Sequence, residues 1–308
     1  MNSCINTHEE EILFQKNGYS IFVCKNCGYR FSQINDGKKH INGVYSDDYF
    51  FEGKAGYPNY LKGKGMLYEY GKGYADIVSK FMKPGKVLDV GCAAGFILKG
   101  FIESGWKGAG IEPNNTMASY GKRQLNLNIQ TGSLETFESE EKFDLINMIQ
   151  VIGHFYEMNE VMQKLKTNLA EHRMVLVESW NMESGYAKLM GKNWHEYSPP
   201  SVIRWFSDDT WSNLFEKNGF TLAAKGFPPK KINISHALSL IDEKTFYFPL
   251  KKWLFRFLNS IFGKLNLYYP LPDLKWYLFK QKEAVKKQIL LIFFFFSQNI
   301  DCSELLFI

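Results

Sequence analysis

The sequence predicts an α/β fold built on a doubly wound, mostly parallel sheet of seven strands. From Lys86 onward, short apolar runs alternate with amphipathic helical stretches, a pattern typical of successive strand–helix units. The chain has 308 residues, of which 45% are hydrophobic and 22% charged. This composition supplies a core of globular size and excludes a disordered or fibrous protein.

Seven apolar segments are predicted to form the sheet. They are residues 86–90, 108–111, 126–130, 143–149, 174–178, 221–225 and 274–279. After the fourth of them, Val161, Leu165 and Leu169 recur at helical spacing, which predicts a helix with an apolar stripe.

A second helix is predicted to begin at Ser207. A serine followed by two aspartates is typical of an N-cap with acids at the positive end of the helix dipole. Trp211, Leu214 and Phe215 then form the predicted buried face, and Gly219 stands where a glycine commonly follows a helix.

Composition divides the chain into three parts. Residues 1–35 hold a Cys-x-x-Cys pair and are interpreted as a zinc-ribbon-like extension, residues 36–282 as the α/β domain, and residues 283–308 as a peripheral C-terminal extension. Five cysteines do not make a disulfide framework, and no signal peptide is visible at the N-terminus. The longest apolar run, 289–296, is too short to span a bilayer. We therefore expect a cytoplasmic protein without a transmembrane span.

The net charge of +5 is concentrated near the C-terminus, where residues 225–287 carry thirteen basic and four acidic side chains. Such a region can face an anionic substrate, a membrane surface or nucleic acid. We favour a solvated surface, because no motif accompanies the charge.

The strongest functional motif follows the first strand of the α/β domain. Asp89 and Gly91 lead into a turn of small residues that reaches Gly95 and opens a helix. Ligands bind at such turns in open α/β sheets, because small residues let the backbone approach them closely. Glu112 ends the second strand, where an acid can accept hydrogen bonds from both ribose hydroxyls of an adenosine.

The dinucleotide fingerprint G-x-G-x-x-G is not matched, because its glycine places hold Gly91, Ala93 and Phe96. The pattern D-x-G-x-x-x-G instead resembles the first motif of the class I S-adenosylmethionine-dependent methyltransferases. The resemblance, which covers roughly residues 20–282, implies a Rossmann-like sheet and S-adenosylmethionine as cofactor. It implies that Asp89, Gly91 and Gly95 hold the methionine end of the cofactor, with Ala93 in the same turn.

Later segments carry the resemblance further. Gly132, Ser133 and Leu134 resemble the turn that borders the adenine, and Phe143 to Phe155 resembles the fourth strand and its loop. The stretch from Asn193 to Pro200 is similar to a subgroup that methylates small molecules and glycans. This similarity makes Trp194, His195 and Tyr197 candidates for binding the substrate; packing in an aromatic core is the alternative.

His154 follows the fourth strand and is the best candidate for a catalytic residue. A neutral imidazole can take a proton from the methyl acceptor near pH 7. The alternative is a histidine that holds the loop, because many methyl transfers need only alignment of the reactants.

Cys24 and Cys27 have the spacing of two zinc ligands. Cys4 and His8 would complete a Cys3His set for a structural zinc ion, and a degenerate ribbon without metal is the alternative.

The sequence thus predicts an S-adenosylmethionine-dependent methyltransferase that acts on an oxygen or carbon of a small molecule or sugar. A nicotinamide-dependent oxidoreductase and a zinc-ribbon nucleic-acid-binding protein with an inactive domain are the alternatives. Nucleic acid is not expected as a partner.

Overall fold

The computed structural model describes residues 9–34, 36–52, 59–228, 231–233, 266–268 and 272–282. Its strands are β1 (Glu10–Lys16), β2 (Tyr19–Cys24), β3 (Arg30–Phe31), β4 (Lys86–Val90), β5 (Lys107–Glu112), β6 (Asn128–Thr131), β7 (Phe143–Ile149), β8 (Leu169–Trp180), β9 (Arg204–Trp205), β10 (Phe220–Gly226), β11 (Lys231–Asn233), β12 (Asn266–Tyr268) and β13 (Leu274–Gln281). Its α-helices are α1 (Gly37–Val44), α2 (Asp47–Phe51), α3 (Lys64–Ser79), α4 (Phe96–Glu103), α5 (Asn115–Leu125), α6 (Met158–Asn168), α7 (Gly185–Met190) and α8 (Asp208–Lys217). Within these ranges, no helix combines the length and apolar character that a bilayer crossing requires.

The central sheet has seven strands in the order β10-β13-β8-β7-β4-β5-β6. Strands β4 to β8 run parallel, and β13 lies antiparallel between β8 and β10. The chain enters at β4, winds outward through β5 and β6, and then returns to β7 on the other side. Winding therefore reverses between β4 and β7, the place where ligands bind in open α/β sheets. The predicted doubly wound, mostly parallel sheet is confirmed.

Both faces of the sheet are covered, which explains why its strands read as continuous apolar runs. In β4, Leu88 and Val90 belong to the buried cluster that includes residues of α6 and α8. Val87 belongs to the cluster on the opposite face, with residues of α3 and α4. This alternation fixes the register of β4, so the side chain of Asp89 and the turn beyond it have defined positions.

The predicted strands all form, with ends that move by a few residues, and the capping prediction for α8 is confirmed. Ser207 is its N-cap and forms a capping box with Thr210, and Gly219 follows it at φ +85°. The helix predicted through Leu169 ends one residue earlier, because Leu169 takes extended backbone and begins β8.

A second sheet joins the N-terminal segment to the α/β part, in the order β1-β2-β3-β9. Strand β3 pairs with β9, which lies in the segment between β8 and α8. The Arg204 side chain crosses this junction: Nε donates to Phe155 O at 2.6 Å, and a terminal nitrogen donates to the Tyr29 hydroxyl at 2.6 Å. The turn that leads into β3 is therefore tied, through Tyr29 and Arg204, to the loop after β7. The domain boundary after residue 35 stays a prediction, and residues 283–308 lie outside the described residues.

Candidate functional site

A cavity opens at the carboxyl ends of β4, β5, β6 and β7, where the winding of the sheet reverses. Its floor is formed by the turns after these strands. Its cover is formed by side chains of α1 and α2 and by Tyr45 and Tyr60. The described residues that line it include Tyr45, Tyr49, Tyr60, Asp89, Gly91, Cys92, Ala93, Glu112, Ser133, Leu134, Glu135, Gln150 and His154. The residues predicted to bind the cofactor therefore line one cavity, except Gly95, which lies at the end of the turn after β4 and does not line it.

The turn after β4 needs small residues for two reasons. Gly91 and Gly95 have φ of +65° and +80°, in the left-handed region that favours glycine. A Cβ added at Gly91 would lie 2.4 Å from Val151 Cγ1, and one at Gly95 would lie 2.4 Å from Leu127 Cδ1. The turn therefore brings backbone, rather than side chains, against the cavity.

Glu112, the last residue of β5, is held from two sides. Its Oε2 accepts a hydrogen bond from the Ala93 backbone at 2.8 Å, and its Oε1 accepts one from the Asn114 backbone at 2.8 Å. Because a carboxylate offers about four acceptor positions, each oxygen can still take one more donor. Burial raises the pKa of Glu112 to about 7, although these two hydrogen bonds oppose the shift.

Asp89 lies in β4 and is buried beside Asn147, whose Nδ2 donates to Oδ1 at 2.9 Å. Its Oδ2 is buried without a hydrogen-bond partner in the described part of the chain. Burial raises the pKa of Asp89 to about 7, and the nearby Glu112 carboxylate adds to the shift. A buried carboxylate oxygen at the edge of a cavity is a natural acceptor for a donor group of a ligand.

The turn after β6 supplies the far side of the cavity. Gly132 N donates to Glu112 O at 3.0 Å, which places Ser133 and Leu134 next to Glu112. Leu134 is fully buried, whereas Ser133 is half-buried. Glu135 follows them, and its side chain also lines the cavity. Sequence reasoning missed Glu135, because no motif marks it.

Tyr45, Tyr49 and Tyr60 cover the cavity. Tyr45 follows α1, and its carbonyl oxygen accepts a hydrogen bond from Asn114 Nδ2 at 3.0 Å. The same amide donates to Asp47 Oδ1 at 2.9 Å, so α2 is tied to the helix that follows β5. Tyr49 packs edge-on against Tyr45. The cavity is therefore covered by residues that precede β4 in sequence.

His154 lies at the end of a short 3-10 helix after β7, where the sequence predicts the methyl acceptor to approach. Its Nε2 is 3.0 Å from Gln150 O, and its Nδ1 is 2.7 Å from Ser201 O and 2.9 Å from the Tyr45 hydroxyl. Burial lowers the pKa of His154, so the neutral ring is favoured. Both ring nitrogens thus face backbone carbonyl oxygens, and the Tyr45 hydroxyl, which donates to Ser201 O at 2.9 Å, also lies within hydrogen-bond distance of Nδ1.

Gln150 is a further cavity residue that sequence reasoning missed. Its φ of +58° is unusual for a residue other than glycine. Two hydrogen bonds hold this backbone, one from Gln150 N to Glu178 O at 2.9 Å and the one from His154 Nε2. The conformation directs the chain around the cavity at the end of β7.

The three predicted substrate residues do not line this cavity. Trp194 and Tyr197 are buried in a cluster with Ile21 and Trp205, beneath the second sheet. His195 packs edge-on against Trp180, with ring centroids 4.6 Å apart. Their surroundings favour the aromatic-core alternative, and their role toward a substrate stays a prediction.

Cys24 is the last residue of β2, and Cys27 lies in the turn that follows. Cys24 is buried, Cys27 is half-buried, and Gly28 N donates to Cys24 O at 2.9 Å. A closed structural zinc site takes four ligands, and the described residues contain no group of three or more His, Cys, Asp or Glu side chains that could hold a metal. Cys4 and His8 lie outside the described residues.

The electrostatic character of the cavity is acidic. Asp89, Glu112 and Glu135 contribute three buried carboxyl groups, whereas the described lining contains no lysine or arginine. The cavity therefore favours a ligand that carries positive charge or several hydrogen-bond donors. A pyrophosphate group would meet no compensating cation here.

The chain is similar to known proteins in its family, in sequence and in fold. A family model described as a methyltransferase domain matches residues 64–225, slightly more than half of the chain. A ubiquinone biosynthesis O-methyltransferase of Bradyrhizobium sp. (strain ORS 278) is 20% identical over 148 residues, which cover 44% of this chain and 54% of that protein. The chain thus spans about half the length of the curated relatives it matches.

Two solved structures share the fold at low identity. One is the 1,6-didemethyltoxoflavin-N1-methyltransferase of Burkholderia thailandensis with 1,6-didemethyltoxoflavin and S-adenosylhomocysteine bound (10% identity, TM-score 0.51, covering 89% of this chain and 100% of that one). The other is a chain of the complex between the Haloferax volcanii Trm112 methyltransferase activator and a methyltransferase (12% identity, TM-score 0.53, covering 76% of this chain and 97% of that one). At such identities the likeness concerns the fold alone.

Proposed function

Because the chain belongs to the methyltransferase-domain family, we propose that it transfers a methyl group from S-adenosylmethionine to an oxygen or carbon of a small molecule or sugar. The family match includes the strand and turn that carry Asp89, Gly91 and Gly95. The fold agrees with the family, since the sheet has seven strands and is doubly wound and mostly parallel, as the resemblance implies.

The acidic cavity is the observation that carries this proposal. S-adenosylmethionine has a positive sulfonium, an ammonium group and no phosphate, and three buried carboxyl groups suit such a ligand. A nicotinamide dinucleotide has a pyrophosphate, which needs the glycine-rich turn and helix N-terminus of its own fingerprint. The oxidoreductase alternative is not favoured for this reason.

Different residues of the site are proposed to hold different parts of the cofactor. Asp89, with its unpartnered Oδ2, and the turn from Gly91 through Ala93 to Gly95 would hold the methionine end. Glu112 would accept the ribose hydroxyls, and Ser133 and Leu134 would border the adenine. When bound, the cofactor supplies an activated methyl group; the protein supplies its orientation and excludes water.

We propose that His154 performs the acid–base work through the Tyr45 hydroxyl, which lines the cavity. Tyr45 Oη would receive the proton of a hydroxyl acceptor while passing its own proton to His154 Nδ1. The resulting imidazolium would donate from Nδ1 to Ser201 O and from Nε2 to Gln150 O, so both backbone carbonyls would stabilise it. Such a proton relay is needed because both ring nitrogens of His154 face protein oxygen atoms and neither can contact the acceptor directly.

The acceptor is inferred to be a small molecule or sugar. The matched curated relatives carry the name ubiquinone biosynthesis O-methyltransferase, and a structural neighbour binds 1,6-didemethyltoxoflavin. An acceptor would lie beside Tyr45 and His154. The segment that holds Trp194, His195 and Tyr197 leads to this part of the cavity, because Ser201 O accepts a hydrogen bond from the Tyr45 hydroxyl. Nucleic acid is not proposed as a substrate, and the cytoplasmic location stays a prediction.

Calorimetric titration tests the cofactor assignment. We expect S-adenosylhomocysteine to bind the protein with one site per chain and NADH not to bind. The opposite result would favour the oxidoreductase.

The acceptor is then identified by mass spectrometry of metabolites that incorporate a labelled methyl group. A titration with RNA and DNA at two salt concentrations tests the nucleic-acid alternative, whose affinity would fall steeply with salt.

The structural zinc is tested separately, since it has no part in the transfer. A Cys3His site of Cys4, His8, Cys24 and Cys27 predicts one zinc ion per chain by elemental analysis of protein purified without chelators. Cys24→Ser should release the metal. Absence of zinc in the unmodified protein would favour the degenerate ribbon.

A further inference from the structure

Arg204 carries a guanidinium group to which the proposed function gives no role. It lies in β9, is half-buried, and does not line the cavity. Its Nε donates to Phe155 O at 2.6 Å, and its terminal nitrogens donate to Tyr156 O and, at 2.6 Å, to the Tyr29 hydroxyl. All three acceptors are uncharged, and no carboxylate of the described residues forms an ion pair with Arg204.

The contacts of Arg204 fix the orientation of the loop after β7 as well as its position. A charged group that leaves water is ordinarily paired with an opposite charge, whereas this guanidinium is paired with oxygen atoms that are only dipoles. Two of these atoms, Phe155 O and Tyr156 O, are consecutive backbone carbonyls. A planar guanidinium that contacts both of them fixes the direction of two peptide groups, whereas lysine, a single-point donor, would leave them free to turn.

Tyr29 holds the other end of the guanidinium in place. Its ring is 3% exposed, stacks on Phe31 with ring centroids 5.6 Å apart, and packs against Phe206 at 5.2 Å. The hydroxyl of a ring packed in this way is a fixed acceptor for Arg204. The loop after β7 therefore has a support outside the cavity that does not depend on its own hydrogen bonds.

A second observation concerns Gly153, in the same loop. Ile203 N donates to Gly153 O at 2.9 Å. A Cβ added at Gly153 would lie 3.1 Å from Arg204 O, which is closer than most such contacts, so the loop lies directly on β9. Because Gly153 and Phe155 are both bound to this segment, the backbone of His154 is held on both sides.

Resting on the proposed function, we infer that Arg204 is a positioning residue for methyl transfer: it holds the loop after β7 so that the His154 ring stays beside the Tyr45 hydroxyl. Tyr45 Oη and His154 Nδ1 are 2.9 Å apart, and Phe155, which Arg204 binds, lines the cavity. The proton relay needs this contact, whereas binding of the cofactor does not. Loss of Arg204 should therefore slow the transfer and leave cofactor affinity unchanged.

NMR of the His154 ring tests the inference without an acceptor. Protein labelled with ¹⁵N in histidine is measured at pH 8 with and without S-adenosylhomocysteine, and His154→Gln identifies the signals. The hydrogen bonds of a held ring give its nitrogens signals unlike those of a solvated ring, for which the exposed His172 is the reference in the same spectrum. In Arg204→Ala we expect the His154 signals to move towards those of His172, while calorimetry finds the same affinity for S-adenosylhomocysteine.

Turnover gives a second measurement, with the acceptor that labelled methyl groups identify. Arg204→Ala should lower kcat by about 100-fold, the cost of misplacing a reacting group by about 1 Å, with KM for S-adenosylmethionine unchanged. Arg204→Lys keeps the charge without the planar fork and should fall between Arg204→Ala and the unmodified protein in both measurements. Arg123→Ala, the matched control, removes an exposed arginine of α5 and should change neither.

Four results would decide against the inference or its premise. Unchanged His154 signals in a folded Arg204→Ala protein would show that Arg204 only joins β3 to the loop, and an unchanged kcat would show that its hold on the loop does not serve the transfer. Should Arg204→Ala not fold, Arg204→Lys decides in the same way, and loss of folding in both would make Arg204 a residue of stability alone. Each of these results overturns the inference. Failure of the unmodified protein to bind S-adenosylhomocysteine would instead refute the proposed function, while the NMR comparison without ligand would still report on the His154 ring.

Discussion

Glu112→Ala is expected to weaken S-adenosylhomocysteine binding by roughly 10- to 100-fold. Each carboxylate oxygen accepts one backbone hydrogen bond at 2.8 Å and has one acceptor position left for a ribose hydroxyl. A hydrogen bond to a charged group contributes about 1.5–3 kcal/mol. Water that enters the truncated site recovers part of the two bonds, so the net loss is expected at about 1.4–2.8 kcal/mol.

The same substitution has a second effect, on the protein without ligand. Ala93 N and Asn114 N lose their acceptor, and each unsatisfied buried N–H costs about 1–3 kcal/mol of unfolding free energy. Thermal unfolding without ligand therefore has to be measured beside calorimetry, so that affinities are compared between folded proteins only.

Two variants frame this measurement. Glu112→Gln keeps one acceptor oxygen and should fall between the unmodified protein and Glu112→Ala in both measurements. Glu103→Ala, on the exposed end of α4, should change neither. A folded Glu112→Ala protein with unchanged affinity for S-adenosylhomocysteine would refute the ribose assignment.

Three further outcomes are expected. His154→Ala should lower turnover by about 10²–10⁴-fold, the range for assisted proton transfer, with little change in cofactor affinity; a loss of less than about tenfold would make His154 a loop residue. Because the pKa of Glu112 is about 7 in the fold and ordinarily 4.5, the folded protein holds more protons between these values. Its unfolding free energy should therefore fall as pH rises from about 5 to 7, whereas cofactor affinity should fall as pH drops below 7. The pKa of Asp89 is also raised to about 7, so Glu112→Gln should reduce both dependences without abolishing them, and equal slopes in the two proteins would contradict the assignment. Phe215→Ala removes a buried ring stacked on Phe279 at 3.8 Å and should lower the unfolding free energy by about 3–5 kcal/mol, against less than about 1 kcal/mol for the exposed Phe227→Ala in chemical denaturation.

The sheet could be predicted because both of its faces are buried. Each central strand is then an apolar run that stands out between polar segments, as 143–149 does. The end of α6 was harder to place, because Leu169 is buried whether it closes a helix or opens a strand. Periodicity alone does not distinguish these two cases.

The floor of the cavity could be predicted because its chemistry is local in sequence. Asp89, Gly91 and Glu112 lie at or next to the carboxyl ends of strands, and a strand end is visible in the sequence. The contact between the Tyr45 hydroxyl and His154 could not be predicted in the same way, because these two residues are 109 positions apart in the chain. The position of Glu135 in the cavity could not be predicted for another reason. Its burial is a property of the fold, and no neighbour in sequence indicates it.

The pairing of β3 with β9 has a consequence for how the chain reaches its native state. Tyr29 and Arg204, which this junction joins by a hydrogen bond, are 175 positions apart. During synthesis the first three strands emerge long before β9, so one edge of β3 waits without a partner. Contacts between such distant positions form slowly, and an unpaired strand edge can recruit another chain in the meantime. Refolding should therefore end with a slow step in which β3 pairs with β9 and Arg204 reaches Tyr29.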